Sequence, residues 1–219
     1  MRPIFKLFIA LLIFSNVGSQ SLAQPFIKEV NYFKKLDSLK TPPANPILFI
    51  GSSSFTNWKD VNDYYPSYTI LNRAFGGSSL PHLILYAEEV IFKYNPKQIV
   101  IYCGENDLTG GNITAEIIFD RFKELHTLIR SRLPKVSIVY VSMKPSPSRE
   151  KYLPIMIKGN SLIKKFIKKK KKTAFVDIYH HMFTKEGKMM TDIFLGDNLH
   201  MNKKGYAIWQ PIIKPFLLK

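Results

Sequence analysis

The chain has 219 residues, with 32 Lys and Arg against 16 Asp and Glu, a formal charge of +16 and a single cysteine. That length holds one compact domain or a tight pair. The lone Cys103 excludes an intrachain disulfide and any multi-cysteine zinc or redox motif, and 13% aromatic residues argue against a disordered chain.

In chain order, the first segment reads as a targeting signal. Residues 1–6 give a basic start, residues 7–14 a short apolar run, and residues 15–24 a polar stretch in which Ser21-Leu22-Ala23 sets small residues at a cleavage site. The run is too short to cross a hydrocarbon core of about 30 Å. An uncleaved interfacial anchor is the alternative, and the absence of a following cysteine excludes a lipoprotein. The expectation is therefore a cleaved signal peptide over 1–23 and one domain over 24–219, exported to the periplasm or beyond. The positive charge makes nucleic acid the first partner to weigh; export makes it a poor one. A single thiol also suits an oxidising compartment.

Beyond the signal, helix-like and strand-like segments alternate. Phe26, Val30, Phe33 and Leu36 recur at helical spacing, predicting a helix over 26–40 that Pro42-Pro43 ends. Ile47 to Ile50 is a wholly apolar run before Gly51, as expected of a parallel strand buried on both faces. A second strand is predicted over 68–71, a helix over 79–94, a third strand over 98–102 and a helix over 114–132. A fourth strand follows over 136–141, then a Lys-rich helix over 151–171 and a fifth strand over 174–178. Asn202 is a good N-cap for a closing helix, which Pro211 and Pro215 distort. Strands alternating with helices predict an α/β fold: one three-layer domain around a five-stranded parallel sheet with right-handed crossovers. Ligands bind beyond the carboxyl ends of such strands, which directs attention to the loops starting at 51, 72, 103, 142 and 179.

Each of those loops also has an ordinary explanation. Ser52, Ser53 and Ser54 could simply cap a helix, or a tight turn could display one of them as a nucleophile. Gly76-Gly77 could serve a turn, or could let a bare backbone N–H approach a substrate oxygen. Asn106 could form a turn, or aim its amide at an oxyanion. An Asp three residues before a His, as in Asp197 and His200, can reach the imidazole Nδ1–H and leave Nε2 to accept a serine proton, although most exposed pairs of this kind are merely solvated. Each signal is weak alone. Together they supply nucleophile, base, orienting carboxylate and oxyanion donors at ends of strands that one sheet would gather.

With these residues in order, the sequence resembles an SGNH (GDSL-type) serine esterase, specifically the secreted bacterial acylhydrolases, from about Ile47 to the C-terminus. The resemblance implies a flavodoxin-like SGNH hydrolase fold and a Ser-His-Asp triad. Gly51-Ser52-Ser53 matches the first block, implying Ser53 as nucleophile. Gly77 and Asn106 match the second and third, implying an oxyanion hole formed with the N–H of Ser53. Asp197 and His200 match the last block. Ser52 departs from the usual Gly-Asp-Ser; since Asp197 holds the triad role, this bears on substrate preference or local support rather than on activity. Such a mechanism needs no metal and no organic cofactor.

Other features read more plainly. His180 and His181 read as surface residues, and His82 and His126 as helical residues without ligand partners. Cys103 reads as a small buried residue, and Asp107 as a brace for its loop. The cations of Lys164–Lys172 read as a solvated helix end suited to the macrodipole, with Phe166 and Ile167 turned inward. The alternative is contact with an anionic membrane or envelope polymer, and a non-catalytic envelope-binding module is the competing function class. Within the enzyme class, the lack of a long apolar lid segment favours short acyl groups on a sugar or other small-molecule ester over a lysophospholipase or thioesterase.

Overall fold

In the computed structural model, which describes residues 24–219, the apolar runs pair into one sheet. The expected signal peptide, on residues 1–23, lies outside the described residues. The elements are α1 (Ile27–Leu39), β1 (Ile47–Gly51), α2 (Ser53–Thr56), α3 (Val61–Tyr64), β2 (Ile70–Asn72), α4 (Leu80–Leu85), α5 (Ala87–Val90), β3 (Gln98–Tyr102), α6 (Ala115–Arg132), β4 (Ser137–Val141), α7 (Leu153–Ile167), β5 (Thr173–Val176) and α8 (Lys203–Ile213). All five strands run parallel in the order β2-β1-β3-β4-β5, with Ile47 opposite both Ile70 and Gln98, and Ile138 opposite Thr173. The predicted α/β architecture is thus the observed one.

Strand alternation divides the core in two. Leu48, Ile50, Ile99 and Ile101 face a layer made by α1, α4, α5, α6 and α7, where Phe33, Leu83, Phe122 and Ile163 pack. Ile47, Phe49, Val100 and Tyr102 face the opposite layer, built from α2, α3 and α8, where Phe55, Val61, Tyr206 and Trp209 pack. Both faces of the sheet are covered, which is why its central strands read as unbroken apolar runs. Trp58 stacks on Tyr206 with ring centroids 4.9 Å apart, tying the segment after β1 to the closing helix.

Three segments depart from the sequence expectation. The helix predicted over 79–94 is broken into α4, α5 and a 3-10 turn at Phe92–Tyr94. Tyr86 stands at the break because its ring packs edge-on against Phe75 and its hydroxyl donates to the Pro25 carbonyl at 2.6 Å; tertiary packing overrides local propensity there. The second strand starts at Ile70, two residues later than expected, where pairing with Ile47 begins. The Lys-rich helix ends at Ile167, and the lysines from 168 to 172 lie in an exposed turn where consecutive like charges favour separation. Phe166 and Ile167 do turn inward. Asn202 caps α8 as expected, its Oδ1 accepting from the Lys204 N–H at 2.9 Å.

Candidate active site

The carboxyl ends of β1, β2 and β3 bring three of the predicted loops together. β1 ends on Gly51 at φ +135°, and a Cβ there would stand 1.9 Å from the Tyr102 carbonyl oxygen of β3; only glycine fits so close a backbone approach. The Ser52 N–H donates to that same carbonyl at 3.0 Å, and Ser53 opens α2. Of the three serines, Ser52 and Ser54 are buried, at 2% and 1% exposure, whereas Ser53 reaches the surface. The rivals are thereby withdrawn from any substrate.

The second loop lies against Ser53. A Cβ built on Gly76 would meet Ser53 Cβ at 3.9 Å. Gly77 follows at φ +81°, exposed, with the ring of Phe26 behind it. The Ser78 hydroxyl donates to the Gly51 carbonyl at 2.9 Å, pinning this loop to the end of β1. From the third loop, Asn106 donates through Nδ2 to the Ser78 carbonyl at 3.0 Å. That bond fixes the orientation of the amide and uses one of its two N–H donors. Asp107 braces the loop, as expected, by accepting from the Leu80 N–H at 3.0 Å and pairing with Arg121 at 2.8 Å. Burial raises its carboxyl pKa against the opposing pull of these partners.

Asp197 and His200 meet in a tight turn with Asn198 at φ +55°. His200 Nδ1 lies 2.5 Å from Asp197 Oδ2, while Asp197 Oδ1 accepts from the Leu199 and His200 N–H groups at 2.9 Å each. The His200 side chain, then these two N–H groups, hold the Asp197 carboxyl down to about 2. An ionised carboxylate can only accept, so Nδ1 carries the hydrogen and the neutral ring presents its lone pair at Nε2. This turn is joined to the first loop through α8, where the Tyr206 hydroxyl donates to the Ser54 carbonyl at 2.8 Å. The structure shows no hydrogen bond between Ser53 and His200 themselves among the described residues.

Two features escaped the sequence reading. Asp177 and His180 form a second Asp-x-x-His pair, with His180 Nδ1 2.8 Å from Asp177 Oδ2. The two histidines differ in burial, the His180 side chain being 76% exposed at the outer edge of the sheet against 27% for His200, whereas Asp177 is less exposed than Asp197. His180 is at the surface, as expected; what the sequence reading missed is its pairing with Asp177. The other feature is an ion pair: Lys144, from the loop after β4, sits 3.4 Å from both carboxylate oxygens of Glu105, their side chains 1% and 7% exposed. Glu105 adjoins Asn106, and the Lys144 ammonium lies 5.8 Å from the centre of the Phe194 ring, shortly before Asp197.

Cys103 is buried as expected, its thiol pushed up chiefly by that burial. His126 is buried against Thr173, and burial lowers its imidazole to about 4. Among the described residues, no three His, Cys, Asp or Glu side chains gather as metal ligands would.

A model of the GDSL-like lipase/acylhydrolase family matches residues 49–208, a span that holds Ser53, Gly77, Asn106, Asp197 and His200. No curated protein sequence matches the chain. Among solved structures, a Streptococcus pneumonia protein provisionally named a platelet activating factor is 20% identical, with 87% of this chain and 92% of the other covered at a TM-score of 0.74. A GDSL-like lipase from Bacteroides thetaiotaomicron is 21% identical, with 85% and 95% covered at 0.70. A variant of an acetyl xylan esterase from Geobacillus stearothermophilus is 15% identical, with 80% and 97% covered at 0.61. At these identities the likeness is one of fold.

Proposed function

Because the chain belongs to the GDSL-like lipase/acylhydrolase family and is a serine-type ester hydrolase, we propose that Ser53 is its nucleophile and that it removes short acyl groups, acetyl above all, from a carbohydrate. The observation that carries the assignment is the exposure of Ser53 between two buried serines, beside Gly76 and on the element that Tyr206 ties to the Asp197–His200 turn. His200 Nε2 takes the Ser53 proton as Oγ attacks the ester carbonyl. The resulting oxyanion is met by the N–H groups of Ser53 and Gly77 and by the second amide hydrogen of Asn106. His200 then protonates the leaving alcohol, and water, activated the same way, cleaves the acyl-serine. Asp197 keeps the imidazole in the required tautomer. Since its carboxyl is held near 2, it remains ionised through the working pH range, and an acid limb in the rate profile titrates some other group.

Asn106→Ala is expected to lower kcat by about 10²–10³, the usual effect of losing one oxyanion donor. It should leave KM far less affected. A variant with wild-type kcat would remove Asn106 from the hole.

Short acyl specificity is supported by the bare domain, which among the described residues carries no long apolar segment over the strand ends, and by the name of the Geobacillus relative. One observation favours longer chains: an apolar cavity of about 290 Å³ lies beside Gly76, lined among others by Tyr32, Phe33, Thr56 and Phe75. A series of p-nitrophenyl esters separates the two readings. Activity falling steeply from acetate to octanoate supports the acetyl reading, and the reverse trend assigns that cavity to a longer acyl chain. We further propose that the enzyme works outside the cytoplasm, where the exposed lysines from 164 to 172 would hold it against anionic envelope surfaces.

A further inference from the structure

The loop after β4, from Ser142 to Arg149, is tied down along its length. The Ser142 hydroxyl accepts from the Ile178 and Tyr179 N–H groups at 3.0 and 3.1 Å, and the Asn160 side chain brackets both backbone groups of Met143 at 2.9 and 3.0 Å. Lys144 is paired with Glu105, next to Asn106. At the far end the Ser148 N–H donates to the Asn198 carbonyl at 3.1 Å, inside the Asp197–His200 turn. The loop therefore bridges the proposed oxyanion side of the cleft and its base.

On this wall two polar groups are left without partners. The Ser146 hydroxyl is fully buried and makes no hydrogen bond. Arg149, one residue beyond the contact with Asn198, is half-buried; its Nε is shut off from solvent and bonds to nothing, and no carboxylate pairs with its guanidinium among the described residues. Other inward-facing cations in this chain are matched: Arg73 with Asp37, Lys144 with Glu105, Arg121 with Asp107. A desolvated donor without an acceptor is costly, and a planar guanidinium suits the two oxygens of an anionic group. Of the backbone N–H groups in this stretch, those of Ser142, Met143, Ser148 and Arg149 are already bonded within the protein, and Pro145 and Pro147 have none.

We infer that Arg149 is a substrate-binding residue for an anionic oxygen group, carboxylate or phosphate, carried by the ester close to its scissile bond. The inference rests on the acyl-serine reading above and narrows its substrate class to acidic esters, such as an acetylated sugar acid. The chemistry at Ser53 is unchanged; Arg149 contributes a charge-assisted hydrogen bond to the bound substrate.

Three probes test it: 4-acetoxybenzoate, its neutral methyl ester, and 4-acetoxyphenyl phosphate. The wild-type chain is expected to favour an acidic ester over the neutral one by roughly ten- to hundredfold in kcat/KM, the range of a charge-assisted hydrogen bond. Which acidic ester leads identifies the anion. In Arg149→Gln the ratio should collapse towards unity, and Arg149→Lys should restore it only in part. Calorimetric binding of the favoured acidic ester to Ser53→Ala, with and without Arg149→Gln, reads the same contact without turnover. An equal loss on acidic and neutral esters would make Arg149 merely structural and overturn the inference, as would a preference that survives Arg149→Gln. Failure of the wild-type chain to cleave any of the three would take down the acyl-serine reading and the anion site together.

Discussion

Ser53→Ala is expected to lower kcat for p-nitrophenyl acetate by about 10⁴–10⁶, the range seen when a member of a serine triad is removed, with no loss of fold. His200→Ala should fall in the same range, and the double variant should be little worse than either single one, because the two side chains act as one proton-transfer unit. The control lies in the neighbouring serines. Ser52 and Ser54 are buried, so Ser52→Ala should keep activity within about tenfold of wild type. Mass spectrometry after reaction with a fluorophosphonate should place the adduct on Ser53. An adduct on Ser52 or Ser54, or a Ser53→Ala chain that still turns over at the wild-type rate, would sink the assignment.

The second large effect concerns stability. In Glu105→Ala the Lys144 ammonium would remain buried without its carboxylate, a change that costs about 3–5 kcal/mol. For a domain of this size, each kcal/mol moves the melting temperature by roughly 2–4 °C, so a drop of about 6–20 °C is expected in scanning calorimetry. Replacing both partners by apolar residues, Glu105→Leu with Lys144→Met, should recover most of that loss, since no uncompensated charge is left behind. A melting temperature for Glu105→Ala within about 2 °C of wild type would mean that the pair is solvated or redundant. Because Glu105 adjoins Asn106 and Lys144 approaches Phe194, the pair also joins the third loop to the segment leading into Asp197.

Different parts of this molecule were legible to different degrees, for physical reasons. β1, β3 and β4 were plain because residues buried on both faces leave continuous apolar runs, and Gly51 at the end of β1 and Gly104 shortly after β3 mark where each strand must stop. β2 was harder: its three residues are placed by pairing with β1, and nothing in Tyr68-Thr69 distinguishes an approach from a rung. The breaks around Tyr86 arise from contacts with Phe75 and Pro25, which local periodicity cannot carry. Ser53, Gly77, Asn106, Asp197 and His200 could be singled out as candidates because each sits at a fixed offset from a strand end or from a near neighbour. Glu105 and Lys144 lie 39 residues apart, so the desolvation that makes their pairing consequential exists only after β3 and β4 are side by side. Asp177-x-x-His180 shows the reverse case: His180 was expected at the surface, yet its local pairing with Asp177 went unread although the spacing was plain.

The hydrogen bond from Tyr206 to the Ser54 carbonyl joins groups 152 residues apart. Synthesis runs from the N-terminus, so Ser53 and its turn emerge early, while Asp197, His200 and the helix that steadies them emerge last. Until the final helix docks, the turn that carries Ser53 lacks this clamp, and on the proposed mechanism Ser53 lacks its base. On the proposed mechanism, the order of the chain would withhold reactivity from the nascent protein until its closing helix docks.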